Sequence, residues 1–130
     1  MVLELTIKIF LIAFFINLLY ELMHSVLYKT CFEVPLPKYI YLIIKGSIFD
    51  GFSITMIHFI SDLFFSGTYK IIMFLLFSVI FAYIWEMYSI KVKKWEYSDK
   101  MPIILGVGVT PLVQLTLTGI LTIYLTYYLN

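Results

Sequence analysis

Four long apolar stretches, separated by residues that interrupt helices, constrain the fold of this chain more than any other feature. A helix needs about 20 apolar residues to cross a hydrocarbon core about 30 Å thick. The stretches that reach this length are residues 5–28, 39–65, 71–90 and 103–129. Pro35, Pro37, Gly67 and a lysine-rich segment, 91–102, separate them. The sequence therefore predicts an all-α integral membrane bundle of about four transmembrane helices, forming a single domain over residues 1–130.

The composition agrees with a membrane location. Apolar residues make up 62% of the chain and charged residues 13%, whereas a soluble domain is about half apolar and a quarter charged. The net charge is +1 and every basic residue is lysine, which disfavours phosphate-backbone recognition. We expect membrane lipids as partners and no nucleic acid. Four short helices enclose little volume, so a homo-oligomer is left open.

The positions of the lysines predict the orientation of the bundle. Segments 29–38 and 91–102 together carry six lysines, whereas Lys8 and Lys70 lie on the opposite side. By the positive-inside rule these two loops are cytoplasmic and both termini lie outside. The single cysteine, Cys31, then faces a reducing compartment, which agrees with a free thiol.

Polar side chains inside the predicted spans mark a candidate site, because each ionisable group costs about 2.5–3.5 kcal/mol to insert. On the first span Asn17, Glu21, His24 and Tyr28 follow one another by four, three and four residues, which aligns them on one helix face. At 1.5 Å per residue, the polar residues of the other spans reach a similar depth. The residues predicted to converge in the cytoplasmic half are Glu21, His24, Asp50, Glu86 and Gln114. His58 and Asp62 are predicted to form a separate pair near the outer face.

The fourth span contains Gly106, Gly108 and Pro111 in close succession. Proline removes a backbone donor and the glycines loosen the same turn, so we predict a kink at Pro111 or a short unwound turn there. This turn should face the polar cluster, with Gln114 reaching either Glu86 or the first helix.

Metal and cofactor chemistry has little support in the sequence. Glu21-x-x-His24 has the spacing of di-iron bundles, but those need two copies and two further glutamates. Gly106-Val-Gly108 lacks the third glycine and the lysine of phosphate-binding loops. We therefore predict no metal site and no cofactor.

Three segments resemble a family of small multi-pass membrane proteins of prokaryotes. They are residues 17–28 (NLLYELMHSVLY), 95–102 (WEYSDKMP) and 106–114 (GVGVTPLVQ). The resemblance implies a shared fold and site in a prokaryotic cell membrane, and it implies no particular activity. The Trp-x-Tyr loop and the following Gly…Pro helix also have a distant likeness to the integral-membrane lycopene cyclase domain. That family places an acid directly after its proline, whereas here Gln114 follows three residues after Pro111.

Three functions are compatible with these residues. The favoured one is an enzyme doing acid–base chemistry on a lipid or isoprenoid. Glu21 and Glu86 are its acid–base candidates, His24 is the proton partner, and Asp50 is an orienter or electrostatic stabiliser. The side chains predicted to bind substrate or shape its entrance are Asn17, Tyr28, Trp95, Tyr97 and Gln114. A proton-coupled transporter and a non-catalytic assembly factor are the alternatives.

Overall fold

The computed structural model describes residues 1–129, most of which are helical. The long helices are α1 (Val2–His24), α3 (Leu36–Phe64), α4 (Thr68–Lys91) and α5 (Val109–Tyr128). A 3-10 turn at Ser25–Leu27 and a short helix, α2 (Lys29–Phe32), connect α1 to α3, and a hairpin of β1 (Ile103–Ile104) and β2 (Val107–Gly108) precedes α5. All four long helices are long and apolar enough to cross a membrane. This confirms the all-α four-helix membrane bundle.

The interior of the bundle contains many polar side chains beside an apolar core around Ile54 and Phe74, and apolar side chains cover its outside. Asn17, Ser47 and Thr122 are fully buried, whereas Phe15 and Phe52 are each 58% exposed. Hydrocarbon solvates phenylalanine well but cannot bond a hydroxyl or an amide, so polar groups must find partners inside the protein. The distribution is therefore the one expected of a protein that sits in lipid.

The helices form a ring in which α1 packs against α3 and α5, and α4 packs against α5 and α3. Two glycines permit the closest approaches. A Cβ at Gly51 would lie 3.3 Å from the backbone nitrogen of Phe14, and a Cβ at Gly119 would lie 2.5 Å from Cζ of Phe74. The absence of a side chain at these positions therefore fixes how closely α3 approaches α1 and how closely α5 approaches α4.

The fourth span begins at Val109 rather than near residue 103. Residues 103–108 form the hairpin instead, because Leu105 and Gly106 take positive φ angles of 50° and 83°, as a two-residue type I′ turn requires. Pro111 consequently lies in the first turn of α5, where a backbone N–H has no helical partner to lose. Of the two predicted alternatives, the kink at Pro111 is therefore wrong, and unwound backbone is present just before Pro111, at residues 103–108.

Candidate functional site

The side-chain amide of Gln114 joins three helices at the centre of the site. Its Nε2 lies 2.8 Å from Oδ2 of Asp50, 3.1 Å from Oε1 of Glu21 and 3.1 Å from Oδ1 of Asn17. Asn17 in turn donates to the carbonyl of Ala13 at 2.8 Å. An amide nitrogen has two hydrogens, so these three acceptors compete for two donors. Gln114 on α5 therefore holds the carboxyl groups of α1 and α3 close to each other.

The two carboxyl groups of this cluster also contact each other. Glu21 and Asp50 are within hydrogen-bonding reach, and two carboxyl groups form such a bond only when one of them carries a proton. Gly46 leaves the space for this, since a Cβ there would lie 3.3 Å from Oε1 of Glu21. The geometry thus accommodates a carboxyl pair that shares a proton.

His24 connects Glu21 to the start of α5. Its Nε2 lies 3.0 Å from Oε2 of Glu21, and its Nδ1 lies 3.2 Å from Oγ1 of Thr110. The Thr110 hydroxyl donates to Sδ of Met101 at 3.3 Å, so its oxygen is left to accept a hydrogen from Nδ1. With Nδ1 bonded to Thr110, Nε2 faces Glu21 whether or not Nε2 carries a proton. The histidine therefore links the carboxyl group of α1 to the first turn of α5.

Glu86 forms a second acidic position, on α4. Three donors converge on its Oε1, namely the hydroxyl of Tyr97 at 2.6 Å, Nε1 of Trp95 at 3.0 Å and the hydroxyl of Tyr28 at 3.1 Å. Glu86 is 3% exposed, and its Oε2 receives none of these bonds. The three donors fix the position of the carboxyl group and compensate negative charge on it.

Backbone pairing between two loops places these aromatic donors. The first helix ends at His24, earlier than predicted, and Tyr28 has extended backbone that pairs with Tyr97 in an isolated antiparallel bridge. The hydroxyl of Tyr97 also accepts a hydrogen bond from the N–H of Gly108 at 2.8 Å. Burial, followed by interaction with Glu86, raises the pKa of both the Tyr28 and Tyr97 phenols above the usual value. Both side chains therefore remain hydrogen-bond donors at physiological pH.

Both acidic positions line one cavity of about 420 Å³ between the helices. Its polar lining includes Glu21, Asp50, Glu86 and Gln114, together with Tyr28 and Trp95. Phe49 stacks on Trp85 with 4.5 Å between ring centres and forms part of the apolar wall. Exposed Lys45 and Lys94 also line it, and the Lys94 ammonium lies 4.3 Å from the centre of the Trp85 ring. The cavity has the size of small-molecule sites in proteins.

The predicted residues divide into those that face the cavity and those that support them. Asn17, His24 and Tyr97 are outside the cavity lining found among residues 1–129, and they contact Gln114, Glu21 and Glu86 from behind. Gln114 reaches the first helix, one of its two predicted targets. Trp95 and Tyr97, expected at an entrance, instead bond directly to Glu86.

The predicted pair of His58 and Asp62 interacts electrostatically and is not joined by a hydrogen bond. His58 Nε2 contacts the hydroxyl of Tyr127 at 3.2 Å, and Asp62 forms an ion pair with Lys70. Both residues do lie away from the first cavity, beside a second one. The sequence analysis missed the roles of Gly46 and Phe49, because neither the space left by an absent side chain nor a cavity wall has a spacing signature.

Comparison of the chain with family models, curated proteins and solved structures finds no match. Within residues 1–129, no group of three or more His, Cys, Asp or Glu side chains has the arrangement of a metal site.

Proposed function

We propose that this protein is an intramembrane enzyme that performs acid–base chemistry on a lipid or isoprenoid bound in the first cavity. The observation that carries the proposal is the meeting of Glu21, Asp50 and Glu86 at one apolar-walled cavity between membrane helices. Three carboxyl groups are expensive to hold at membrane depth, and such groups are retained chiefly where they work.

The Glu21–Asp50 pair is the proton donor in this proposal. One carboxyl group gives its proton to a substrate atom and the pair becomes fully ionised, and between turnovers His24, bonded to Glu21 at 3.0 Å, exchanges the proton of the restored pair with water. When the substrate releases a proton from a neighbouring atom, the pair takes it back. The net reaction shifts a double bond or exchanges a hydrogen without consuming a co-reactant.

Glu86 has a different role from the one that the sequence favoured. Because three donors already hold its Oε1, it is better suited to a fixed negative charge than to proton transfer. A carboxylate in that position stabilises positive charge that develops on a protonated substrate. Asp50 then belongs to the acid–base pair, and Glu86 becomes the electrostatic stabiliser.

The cavity lining favours an amphipathic substrate. Phe49, Phe81, Trp85 and Leu115 offer apolar surface to a hydrocarbon chain, while Lys45 and Lys94 offer ammonium groups to a polar or anionic headgroup. A cavity of about 420 Å³ accommodates the reacting part of a lipid rather than the whole molecule. The rest of the chain would remain in the bilayer.

The proposed setting is a prokaryotic cell membrane, with loops 29–38 and 91–102 cytoplasmic and both termini outside. The lysines of these loops support this orientation. It puts the Lys45 and Lys94 end of the cavity at the cytoplasmic headgroup layer. Membrane lipids are the proposed partners, and a homo-oligomer is compatible with the broad lipid-facing surface.

Deuterium exchange tests the proposal without knowledge of the substrate. Purified protein is placed in nanodiscs with a total lipid extract of its source cells, incubated in D₂O and analysed by mass spectrometry. We expect one lipid class to gain deuterium with the wild-type protein, and none to do so with Asp50→Asn. Asp62→Asn, which removes an exposed carboxyl group elsewhere, is the matched control. Equal labelling by wild type and Asp50→Asn would rule out the acid–base role.

A proton-coupled carrier is the second candidate, favoured by the presence of another cavity at the opposite end of the helices. Under that alternative, proteoliposomes should show proton flux that depends on Asp50 and is accompanied by no deuterium on lipid carbon. If neither flux nor exchange occurs, the assembly factor is the remaining candidate.

A further inference from the structure

The second cavity, of about 330 Å³, lies at the end of the bundle opposite the first. It is lined from α3 by His58, Ser61 and Asp62, from α4 by Lys70, Ile71 and Phe74, and from α5 by Ile123 and Tyr127, with Gly67 from the connecting turn. Ile71 is 56% exposed, so one wall of the cavity borders the lipid-facing surface. A molecule can therefore reach it from the bilayer.

Two polar atoms at this cavity lack partners. Nδ1 of His58 and Oγ of Ser61 are buried, and neither has a hydrogen-bond partner among residues 1–129. The two residues are 9% and 3% exposed, and their spacing of three residues places them on one helix face. A buried polar group without a partner costs about 1–3 kcal/mol. Neither atom touches open space in this structure, so a ligand in the cavity must displace neighbouring side chains slightly to reach them. A ligand that then supplied the missing bonds would recover that cost.

Ser61 departs from the pattern of its own helix. Ser53 and Thr55 donate their hydroxyls to the carbonyls of Phe49 and Gly51, four residues earlier, each at 2.8 Å. Hydroxyls in membrane helices commonly find such a partner. Ser61 makes no such bond although a carbonyl stands at the equivalent position, so its hydroxyl is available to another group.

The surroundings determine which group fits. Asp62 and Lys70 already neutralise each other in an ion pair, so the cavity has no unbalanced charge from these two residues to attract an ionic headgroup. His58 Nε2 is engaged by Tyr127, and the tautomer decides whether Nδ1 needs an acceptor or a donor. A hydroxyl group satisfies either tautomer and can also bond Ser61, whereas an ester carbonyl only accepts. Ile71, Phe74 and Ile123 suit an attached hydrocarbon chain.

We infer that this second cavity is a binding site for an uncharged lipid alcohol, such as diacylglycerol, whose hydroxyl bonds His58 Nδ1 and Ser61 Oγ. The inference is independent of the proposed reaction at the first cavity, because none of these residues belongs to that site.

The histidine ring gives a direct readout. The protein contains two histidines, so ring-¹⁵N labelling yields few signals. Dioleoylglycerol added to the protein in micelles should move the His58 Nδ1 resonance in a saturable manner. The same lipid with its hydroxyl acetylated should not, and dioleoyl phosphatidic acid should bind at least tenfold more weakly. An equal response to the acetylated lipid, or no response to dioleoylglycerol, overturns the inference.

Two variant comparisons separate binding from packing. Ser61→Ala should raise the midpoint of the titration roughly threefold to tenfold, the value of one hydrogen bond, without lowering the thermal stability of the lipid-free protein. By native mass spectrometry, His58→Asn, which retains a polar atom near the Nδ1 position, should bind dioleoylglycerol better than His58→Gln, which retains one near Nε2. Unchanged binding in both Ser61→Ala and His58→Gln contradicts the inference.

Discussion

The hydroxyl of Tyr97 lies 2.6 Å from Oε1 of Glu86 and also accepts the N–H of Gly108 at 2.8 Å. One side chain thus holds the buried carboxyl group of α4 and the strand that leads into α5. Tyr97→Phe removes both bonds and should destabilise the protein by about 1–3 kcal/mol, since Glu86 and the Gly108 N–H are both left short of a partner. Reversible unfolding in mixed micelles measures this.

Tyr83→Phe is the matched control, because it also deletes one phenol that bonds a neighbouring segment. The Tyr83 hydroxyl donates to one carbonyl, that of Leu105, at 3.1 Å in an exposed position, so its loss leaves no buried carboxyl group without a donor. We expect a loss of less than about 1 kcal/mol. Equal losses in the two variants would mean that the Tyr97–Glu86 bond has no special structural role.

The same tyrosine predicts how stability depends on pH. Burial, followed by the hydrogen bond to Glu86, raises the pKa of Tyr97 above its ordinary value of 10.0. Above about pH 10 the unfolded chain therefore binds fewer protons at this residue than the folded protein does. Its contribution to stability is complete below pH 10 and falls above it, by up to about 1.4 kcal/mol per pH unit. Tyr97→Phe should show a shallower decline in thermal scans between pH 9 and 11.

Close packing of α5 on α4 gives a prediction independent of function. A Cβ on Gly119 would lie 2.5 Å from Cζ of Phe74, and Phe74 is itself 2% exposed. Gly119→Ala should therefore destabilise the bundle by about 1–3 kcal/mol through overpacking. Shortening the opposing ring in Gly119→Ala/Phe74→Leu should recover part of the loss. A neutral Gly119→Ala would show that the two helices are further apart than described.

The orientation can be tested with single cysteines in a Cys31→Ser background. The native thiol is a poor reporter, because it lines the first cavity and burial raises its pKa. Lys100→Cys and Ser66→Cys instead place exposed thiols in loops at opposite ends of the helices. A membrane-impermeant maleimide should label Ser66→Cys in intact cells and Lys100→Cys only after permeabilisation. The reverse result would invert the proposed orientation.

Much of the fold follows from the sequence because length and hydropathy alone determine whether a helix can span a bilayer. The same reasoning failed at residues 103–108, which are apolar enough to extend the fourth span. The hairpin there depends on the backbone angles of Leu105 and Gly106, and glycine within an apolar run predicts a weak helix as readily as a turn.

The candidate site was predictable where helix periodicity applies and unpredictable where a loop contributes. The spacing of Asn17, Glu21 and His24 correctly predicted that they share one face of the first helix. The depths of Asp50 and Gln114 in their own spans correctly predicted that these two residues join the cluster. The contact of Tyr97 with Glu86 depends on the bridge between residues 28 and 97. Pairing between distant loop segments leaves no periodic signal in the sequence. Tyr97 could therefore be predicted as a site residue, but its hydrogen bond to Glu86 could not be predicted.

Comparative lipidomics of a deletion strain tests the central claim most directly. The strain is complemented with the wild-type protein, with Glu21→Gln or Glu86→Gln, or with Glu33→Gln, whose carboxyl group is exposed and paired with Lys29 outside the cavity. Each substitution preserves shape and removes one titratable group. We predict that deletion changes the level of a lipid or isoprenoid, and that the wild-type protein and Glu33→Gln restore that level. Glu21→Gln and Glu86→Gln should insert into the membrane at normal levels and fail to restore it. Full restoration by both cavity variants would contradict a catalytic role for the carboxyl cluster.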